Sequence, residues 1–275
     1  MRGLKRLSLS VAAAACAAML APAAFAQSGD KPEAKAPAHE ISTVDIPVPP
    51  LPHIDWSFSG PFGVYDRASA QRGFLIYQQV CSNCHSMDQL YYRNLEGIGL
   101  SEDQIKAIAA SVQVPGGVND QGQPIERPGK PSDHFKAPFP NEQAARAANG
   151  GALPPDQSVL ELAREGGADY LYAILTGYAD PPPGVKLMSG MNYNTYFPGH
   201  QIAMPQPLQE GSVQYTDGVK PTLDQEAKDV VTFLTWAANP EMEERKQTGV
   251  RVILFLIFLT GVTYAVKRRV WSDLH

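Results

Sequence analysis

Apolar positions recur at helical spacing in several stretches of the chain, and no stretch alternates strictly for long. From Arg67 to about Cys84, Phe74, Tyr77 and Val80 or Cys81 share one helical face. Ser101–Val112 predicts a short helix with Ser101 as N-cap and Glu102 and Asp103 in its first turn. Asn141–Ala148 is Ala-rich and predicts another, as do Asp156–Glu165 and Ala168–Thr176, separated by Gly166-Gly167. Thr222 and Gln225 have the spacing of a capping box. After them Ala227, Val230/Val231, Leu234 and Ala237/Ala238 form a stripe that stops near Asn239-Pro240. The stretches 114–140 and 179–216 are rich in Pro and Gly and predict loops. A body that is mainly α with long irregular loops follows. Loops of this length are uncommon unless something orders them, and a large prosthetic group would do so.

Two apolar segments stand apart from this body. Arg2, Lys5 and Arg6 precede an apolar stretch from Leu7 to Ala24, and Ala24-Phe25-Ala26 offers small residues ahead of Gln27. That order predicts an export signal over 1–26, whose removal takes Cys16 with it. Ala13-Ala14-Ala15 makes a poor lipidation site at Cys16. At the other end, the fifteen residues Val252–Val266 carry no charge. They span only ~22 Å, short of a ~30 Å hydrocarbon core. Val250 and the stems of Arg251 and Lys267 extend the segment, and Trp271 suits an interfacial anchor. Three basic residues on either side leave the orientation open by charge, and the export signal decides it. The expected organisation is a signal peptide 1–26, a Pro-rich arm 27–53, an exported domain 54–240, a juxtamembrane linker 241–249, a transmembrane helix 250–267 and a cytoplasmic tail 268–275. Six prolines lie in the arm, whose PVPPLP end reads as an extended strap.

Charge changes with processing. The whole chain carries −5, the chain without its signal −8, and the exported part 27–240 carries −10 from 14 basic and 24 acidic residues. Such a balance argues against a nucleic-acid partner and suits a cationic one.

Outside the signal only two cysteines remain, in Cys81-Ser82-Asn83-Cys84-His85. C-x-x-C-H is the attachment pattern of c-type haem. Two thiols one helical turn apart can add to the two vinyl groups on one porphyrin edge, and His85 then lies under the iron. A zinc site wants about four ligands and no further cysteine exists. A thioredoxin-like pair expects a βαβ setting, and a plain disulfide leaves His85 unexplained. One motif means one haem. Met188, Met191, Met204, Met242, His134 and His200 are candidates for the iron's far side. Met204 lies in an apolar loop stiffened by Pro198, Pro205 and Pro207, ahead of the last body helix; Met188 and Met191 remain rivals on this logic.

The runs RGFLIYQQVCSNCHSMDQLYYRNL, RPGKPSDHF, PNEQAARAANGGALPPDQSVL, LTGY, NYNTYFPGHQIAMPQPL and AKDVVTFLTWAANPE, then the single span and KRRVWS, resemble the cytochrome c1 family in its bacterial precursor form. They cover most of 67–272 in order. The resemblance implies a cytochrome c-like haem domain, mainly α with long irregular loops, plus one C-terminal transmembrane helix. It implies one covalent haem c held by Cys81 and Cys84, with His85 and Met204 as iron ligands. It also implies that Arg164 and Tyr170 lie by the haem propionates, and that Asn149 and the Pro154-Pro155 loop line the haem edge.

The function so implied is single-electron transfer from a Rieske iron–sulfur protein to a basic or tethered c-type cytochrome, within a bc1 complex that also contains cytochrome b. The chain would not be an enzyme on its own but a subunit of a quinol–cytochrome c oxidoreductase. Its haem domain would face the periplasm from the bacterial inner membrane. Two other functions fit a tethered single haem. An oxidase or peroxidase with an open iron would bind carbon monoxide in the ferrous state. A haem sensor would carry a signalling domain beyond the span, where only nine residues follow Val266.

Overall fold

The computed structural model describes residues 46–274. The expected signal peptide and the arm up to residue 45 lie outside the described residues. In chain order come α1 (Arg67–Gln79), α2 (Glu102–Ala110), β1 (Gln113–Val118), β2 (Pro124–Pro128), α3 (Glu142–Ala148), α4 (Gly167–Thr176), β3 (Asn192–Tyr193), β4 (Gln201–Ile202), α5 (Leu223–Ala238) and α6 (Met242–Val270). The strands form two separate antiparallel pairs, β1–β2 and β3–β4. The mainly α expectation holds.

The centre of the body is α1 laid against α5. Asp66 starts α1 by accepting the N–H groups of Ala68 and Ser69 on its carboxylate. Phe74, Ile76 and Tyr77 on α1 meet Val230, Val231, Phe233, Leu234 and Trp236 on α5, all buried. Phe233 lies 5.6 Å from Phe74 and 5.8 Å from Tyr77 between ring centres, and Phe135 closes the aromatic cluster. Each such side chain contributes ~1.5–3 kcal/mol by leaving water. The helices cross so closely at Gly73 that a Cβ there would sit 2.0 Å from the Asp229 carbonyl oxygen.

One carboxylate is buried in this crossing. Asp229 accepts from Ser69 Oγ at 2.7 Å, from Arg72 Nε and Nη2 at 2.8 Å each, and from Gln225 Nε2 at 3.0 Å. Arg72 turns its Nη1 to Asp217 at 2.7 Å. A buried charge is tolerated only with such partners. This arrangement takes Gln225 away from its expected place. Thr222 Oγ1 does accept the Gln225 N–H at 3.2 Å, but the Gln225 side chain runs down the helix to Asp229. The Thr222 N–H goes to the Lys220 carbonyl instead, so α5 has an N-cap without the reciprocal half of a box.

Three further departures from the sequence reading have physical causes. The stretch 114–140 is not all loop, because β1 and β2 form a hairpin with a bulge between Pro115 and Gly117. Its Pro and Gly residues hid the strand pattern. Asn119 closes the tip by accepting the N–H groups of Gln121 and Gln123, and Arg127 grips Asp133 with two nitrogens at 2.6 and 2.7 Å. Asp156–Glu165 forms turns rather than a helix, since its first residues bond to the segment 86–89. Within 179–216, β3 and β4 pair and carry the loop that reaches Met204.

Residues 242–249 are the opening turns of α6, continuous with the apolar segment. Met242 is buried in the core, Tyr65 N–H and Arg67 Nη2 bond to Glu243, and Lys246 Nζ donates to the Phe58 carbonyl at 2.6 Å. Beyond Arg251 the helix is exposed and long and apolar enough to cross a membrane, with a mean hydropathy of 2.0. The strap from Ile46 lies along the other side of the body. His200 Nε2 bonds to the Ile46 carbonyl at 2.8 Å, and Asp169 accepts from Ile54 N and Trp56 Nε1.

Candidate cofactor site

α1 ends at Gln79, and the chain tightens into a 3-10 turn over Cys81–Asn83. The N–H groups of Cys84 and His85 both donate to the Cys81 carbonyl, at 3.1 and 2.9 Å. Both thiols are free; Cys84 is exposed and Cys81 half-buried. Burial pushes the Cys81 thiol up to about 12.

His85 is buried, with Nδ1 2.8 Å from the Pro155 carbonyl oxygen. A carbonyl only accepts, so the proton sits on Nδ1 and the Nε2 lone pair is left for a metal. Burial lowers the histidine's pKa, with the Pro155 bond and Asp156 acting against it, which favours the neutral ligating form. Tyr77 hydroxyl holds the His85 carbonyl at 3.4 Å.

Asp156 places Pro155 there. Its carboxylate accepts from Ser86 Oγ at 2.7 Å, Asp88 N at 2.8 Å and Ser158 N at 2.8 Å, and the Gln157 N–H donates to the Ser86 carbonyl. Burial works to raise the Asp156 pKa, but these hydrogen bonds outweigh it and hold the group below the usual carboxylate range. It is a staple between the His85 turn and the 155–165 turns.

Met204 comes from a different arm, the loop after β4. Its carbonyl accepts from Tyr178 hydroxyl at 3.0 Å and Asn192 Nδ2 at 3.3 Å. Behind it Asn194 is fully buried. Its Oδ1 accepts the N–H groups of Tyr196 and Phe197, and its Nδ2 donates to the Ile174 carbonyl. Backbone position is thus fixed while the thioether carries no structural bond. The other candidates are unequal. Met242 is core, and both His200 ring nitrogens face backbone carbonyls, Asn194 at 3.2 Å and Ile46 at 2.8 Å. His134 stacks on Tyr91 at 3.8 Å. Met188 is exposed and Met191 half-buried.

Arg164 is exposed, donates only to the adjacent Ala163 carbonyl, and has no carboxylate partner among the described residues. Tyr170 on α4 is half-buried; burial raises its hydroxyl pKa and the Arg164 charge lowers it, so the two are electrostatic neighbours. Asn149 caps α3, and its side-chain amide turns back on the Ala145 carbonyl at 2.7 Å. The structure therefore joins Pro155 to His85 and relates Arg164 to Tyr170, while the Asn149 amide is used within its own helix.

Sequence reading missed Asp156, Tyr178, Asn192 and Asn194. Asp156 alone left a signal, an acid directly after Pro154-Pro155. The donor set fits a haem c: two free thiols one turn apart, a neutral imidazole with Nε2 uncommitted, an uncommitted thioether and an unpaired guanidinium for a propionate. Among the described residues no group of three or more His, Cys, Asp or Glu could hold a bare metal ion.

Comparison with known proteins agrees with this chemistry. The family model described as Cytochrome C1 family matches residues 56–274. The potato protein "Cytochrome c1-2, heme protein, mitochondrial" is 51% identical over 224 residues, 81% of this chain and 86% of that one. "Cytochrome c1" of Rhodospirillum rubrum is 46% identical over 235 residues, 80% of this chain and 86% of the other. "Cytochrome b/c1" of Bradyrhizobium diazoefficiens is 46% identical over 242 residues, 80% of this chain but 35% of that longer polypeptide. The cofactor is accordingly one covalently attached haem c. With a family match from Trp56 almost to the C-terminus and a C-x-x-C-H turn whose histidine is set to ligate, this chain belongs to the cytochrome c1 family.

Proposed function

We propose that the chain is a membrane-anchored electron carrier of a bc1 complex, taking single electrons from a Rieske iron–sulfur protein and passing them to a c-type cytochrome. The observation that carries the reading is the neutral His85 imidazole, Nδ1 held by Pro155 and Nε2 uncommitted, next to two free thiols on one turn. When bound, the haem supplies a one-electron iron couple. Cys81 and Cys84 would tether it, and His85 and Met204 would supply the iron's ligands. Arg164 and Tyr170 would serve the propionates, and Pro155 and Asn149 would lie against the group. Without a catalytic acid, base or nucleophile in these roles, the chain contributes to quinol:cytochrome c reductase activity and is not an enzyme alone.

Cytochrome b is the proposed neighbour in the membrane, a reading supported by the printed name of the longer Bradyrhizobium polypeptide. The −10 charge over 27–240 supports a basic or tethered acceptor. The export signal at 1–26 supports a periplasmic haem domain over 54–240 and a cytoplasmic C-terminus, with 250–267 as the span.

A redox titration of the purified complex with optical spectra tests this. Met204→Leu keeps the apolar volume and removes the sulfur. It should leave the haem attached, abolish the methionine-ligated low-spin spectrum and lower the potential. Every 59 mV of fall costs about tenfold in equilibrium for one electron. If Met204→Leu changes neither spectrum nor potential while Met191→Leu abolishes both, the ligand is Met191.

A further inference from the structure

The loop Pro61–Val64 and the opening turns of α6 enclose a groove of about 290 Å³, away from every residue of the haem site. Its walls include Phe62, Val64, Lys246, Gln247, Val250 and Arg251. Phe62 is 79% exposed and Val64 54%, an apolar surface beside the point where α6 becomes continuously apolar. The groove therefore lies where polar headgroups meet the hydrocarbon if α6 crosses the membrane.

Its charge is one-sided. Glu243, the acid in the wall, is already committed: Oε1 accepts the Tyr65 N–H at 2.7 Å and Oε2 accepts Arg67 Nη2 at 2.8 Å. Lys246 has no carboxylate partner among the described residues. Two of its three N–H donors reach the carbonyls of Phe58 at 2.6 Å and Gly63 at 3.4 Å, which leaves a third for a ligand. Arg251, about 1.4 turns further along α6, makes no ion pair among the described residues and offers a planar fork suited to phosphate oxygens. Five residues apart, the two cations are offset by ~7.5 Å in rise and ~140° around α6, and both line the same groove.

We propose that this groove binds the headgroup phosphate of an anionic phospholipid, with Lys246 and Arg251 on the phosphate. Phe62, Val64 and Val250 contact the glycerol and upper acyl region, and the chains lie along the exposed apolar face of α6 from Val252 onward. On α6 the groove sets Lys246 and Arg251 on either side of Val250, with Phe62 and Val64 on the loop wall, so charged and apolar contacts are both on offer to one lipid.

The test uses the full chain with its haem attached, reconstituted in nanodiscs of equimolar phosphatidylglycerol and phosphatidylcholine. Lipids that stay bound on release are counted by native mass spectrometry. Phosphatidylglycerol should be retained in preference, and Arg251→Gln, which touches no fold contact, should cut that preference roughly fivefold. Lys246→Gln should do the same, and Lys246→Arg should restore it. Phe62→Ser should weaken retention of both lipids and leave the preference. The haem spectrum should be unchanged in all four, so the result does not depend on the electron-transfer reading. Equal retention of the two lipids by the unmodified chain overturns the proposal. So does a preference that survives Arg251→Gln, or one that disappears instead in Arg268→Gln/Arg269→Gln at the other end of α6.

Discussion

The α1–α5 crossing and the two arms that present His85 and Met204 are held together by different forces. In the crossing, Phe74, Tyr77, Phe233 and Trp236 bury their surface against one another, and the buried Asp229 carboxylate has a full set of donors. The arms bury scattered apolar side chains, among them Met87, Leu90, Tyr193 and Ile202. Both arms are positioned by polar side chains that bind backbone: Asp156 across to Asp88, Tyr178 and Asn192 on the Met204 carbonyl, Asn194 on three backbone groups. Burial is non-directional and sums to large energies, whereas a hydrogen bond nets ~0.5–1.5 kcal/mol but fixes direction. The frame thus carries stability, and the arms carry the geometry of the two proposed iron ligands. Substitutions can separate the two.

Phe233→Ala should have the largest effect on stability, ~3–5 kcal/mol for an aromatic removed from a packed core. Calorimetry of the purified protein should show the fall in Tm while the haem spectrum at room temperature stays unchanged. A ligation change as large as that on the Met204 side would erase the distinction between frame and arms. Asn194→Ala should cost ~1–3 kcal/mol, because it strands buried backbone groups. Here the spectrum should respond as well, with part of the methionine ligation lost. A purely thermal effect would place Asn194 in the frame.

Glu226 sharpens the comparison through pH. It is fully buried, with Oε1 accepting the Val213 N–H and Oε2 unpartnered. Burial raises its pKa, so the folded state binds a proton more tightly than the unfolded one. Stability from this group is present at low pH and is lost as pH rises from the ordinary carboxylate pKa through the raised one. Glu226→Gln should therefore gain on the parent as pH rises through that window. Denaturant titrations at pH 5 and pH 8 check the sign; a constant difference would mean Glu226 is ionised throughout. Smallest of all, Tyr178→Phe removes one hydrogen bond from the Met204 carbonyl and should cost ~1 kcal/mol or less. Its effect should be seen in the haem potential before it is seen in Tm.

The same division explains what could be read from the chain alone. The helices of the frame announce themselves by apolar spacing, as in Val230, Leu234 and Ala237 of α5. The chemistry announces itself where a covalent rule imposes spacing, as in Cys81, Cys84 and His85. Asp156, Asn192 and Asn194 obey no local period, since their partners are carbonyls and amides brought close only by the fold. Asp156–Glu165 looked helical for the same reason. Its composition suits a helix, but Asp156 gives its oxygens to a segment some seventy residues away. The hairpin β1–β2 was hidden because Pro115, Pro124 and Pro128 are poor strand formers, and Arg127 of β2 is held by Asp133, which lies beyond the strand. That ion pair takes the Asp133 pKa down to about 2.

The rooting of α6 in the body has a mechanical consequence. Met242 is wedged in the core, Glu243 is held from Tyr65 and Arg67, Lys246 from Phe58, and the helix then runs without a break for 29 residues, ~43 Å. Body and mast turn together, with no swivel at the join. A subunit built this way is a stator. On the function proposed above, the haem site then keeps one height and one bearing relative to α6, and whatever distance separates donor from acceptor is left to partners that travel.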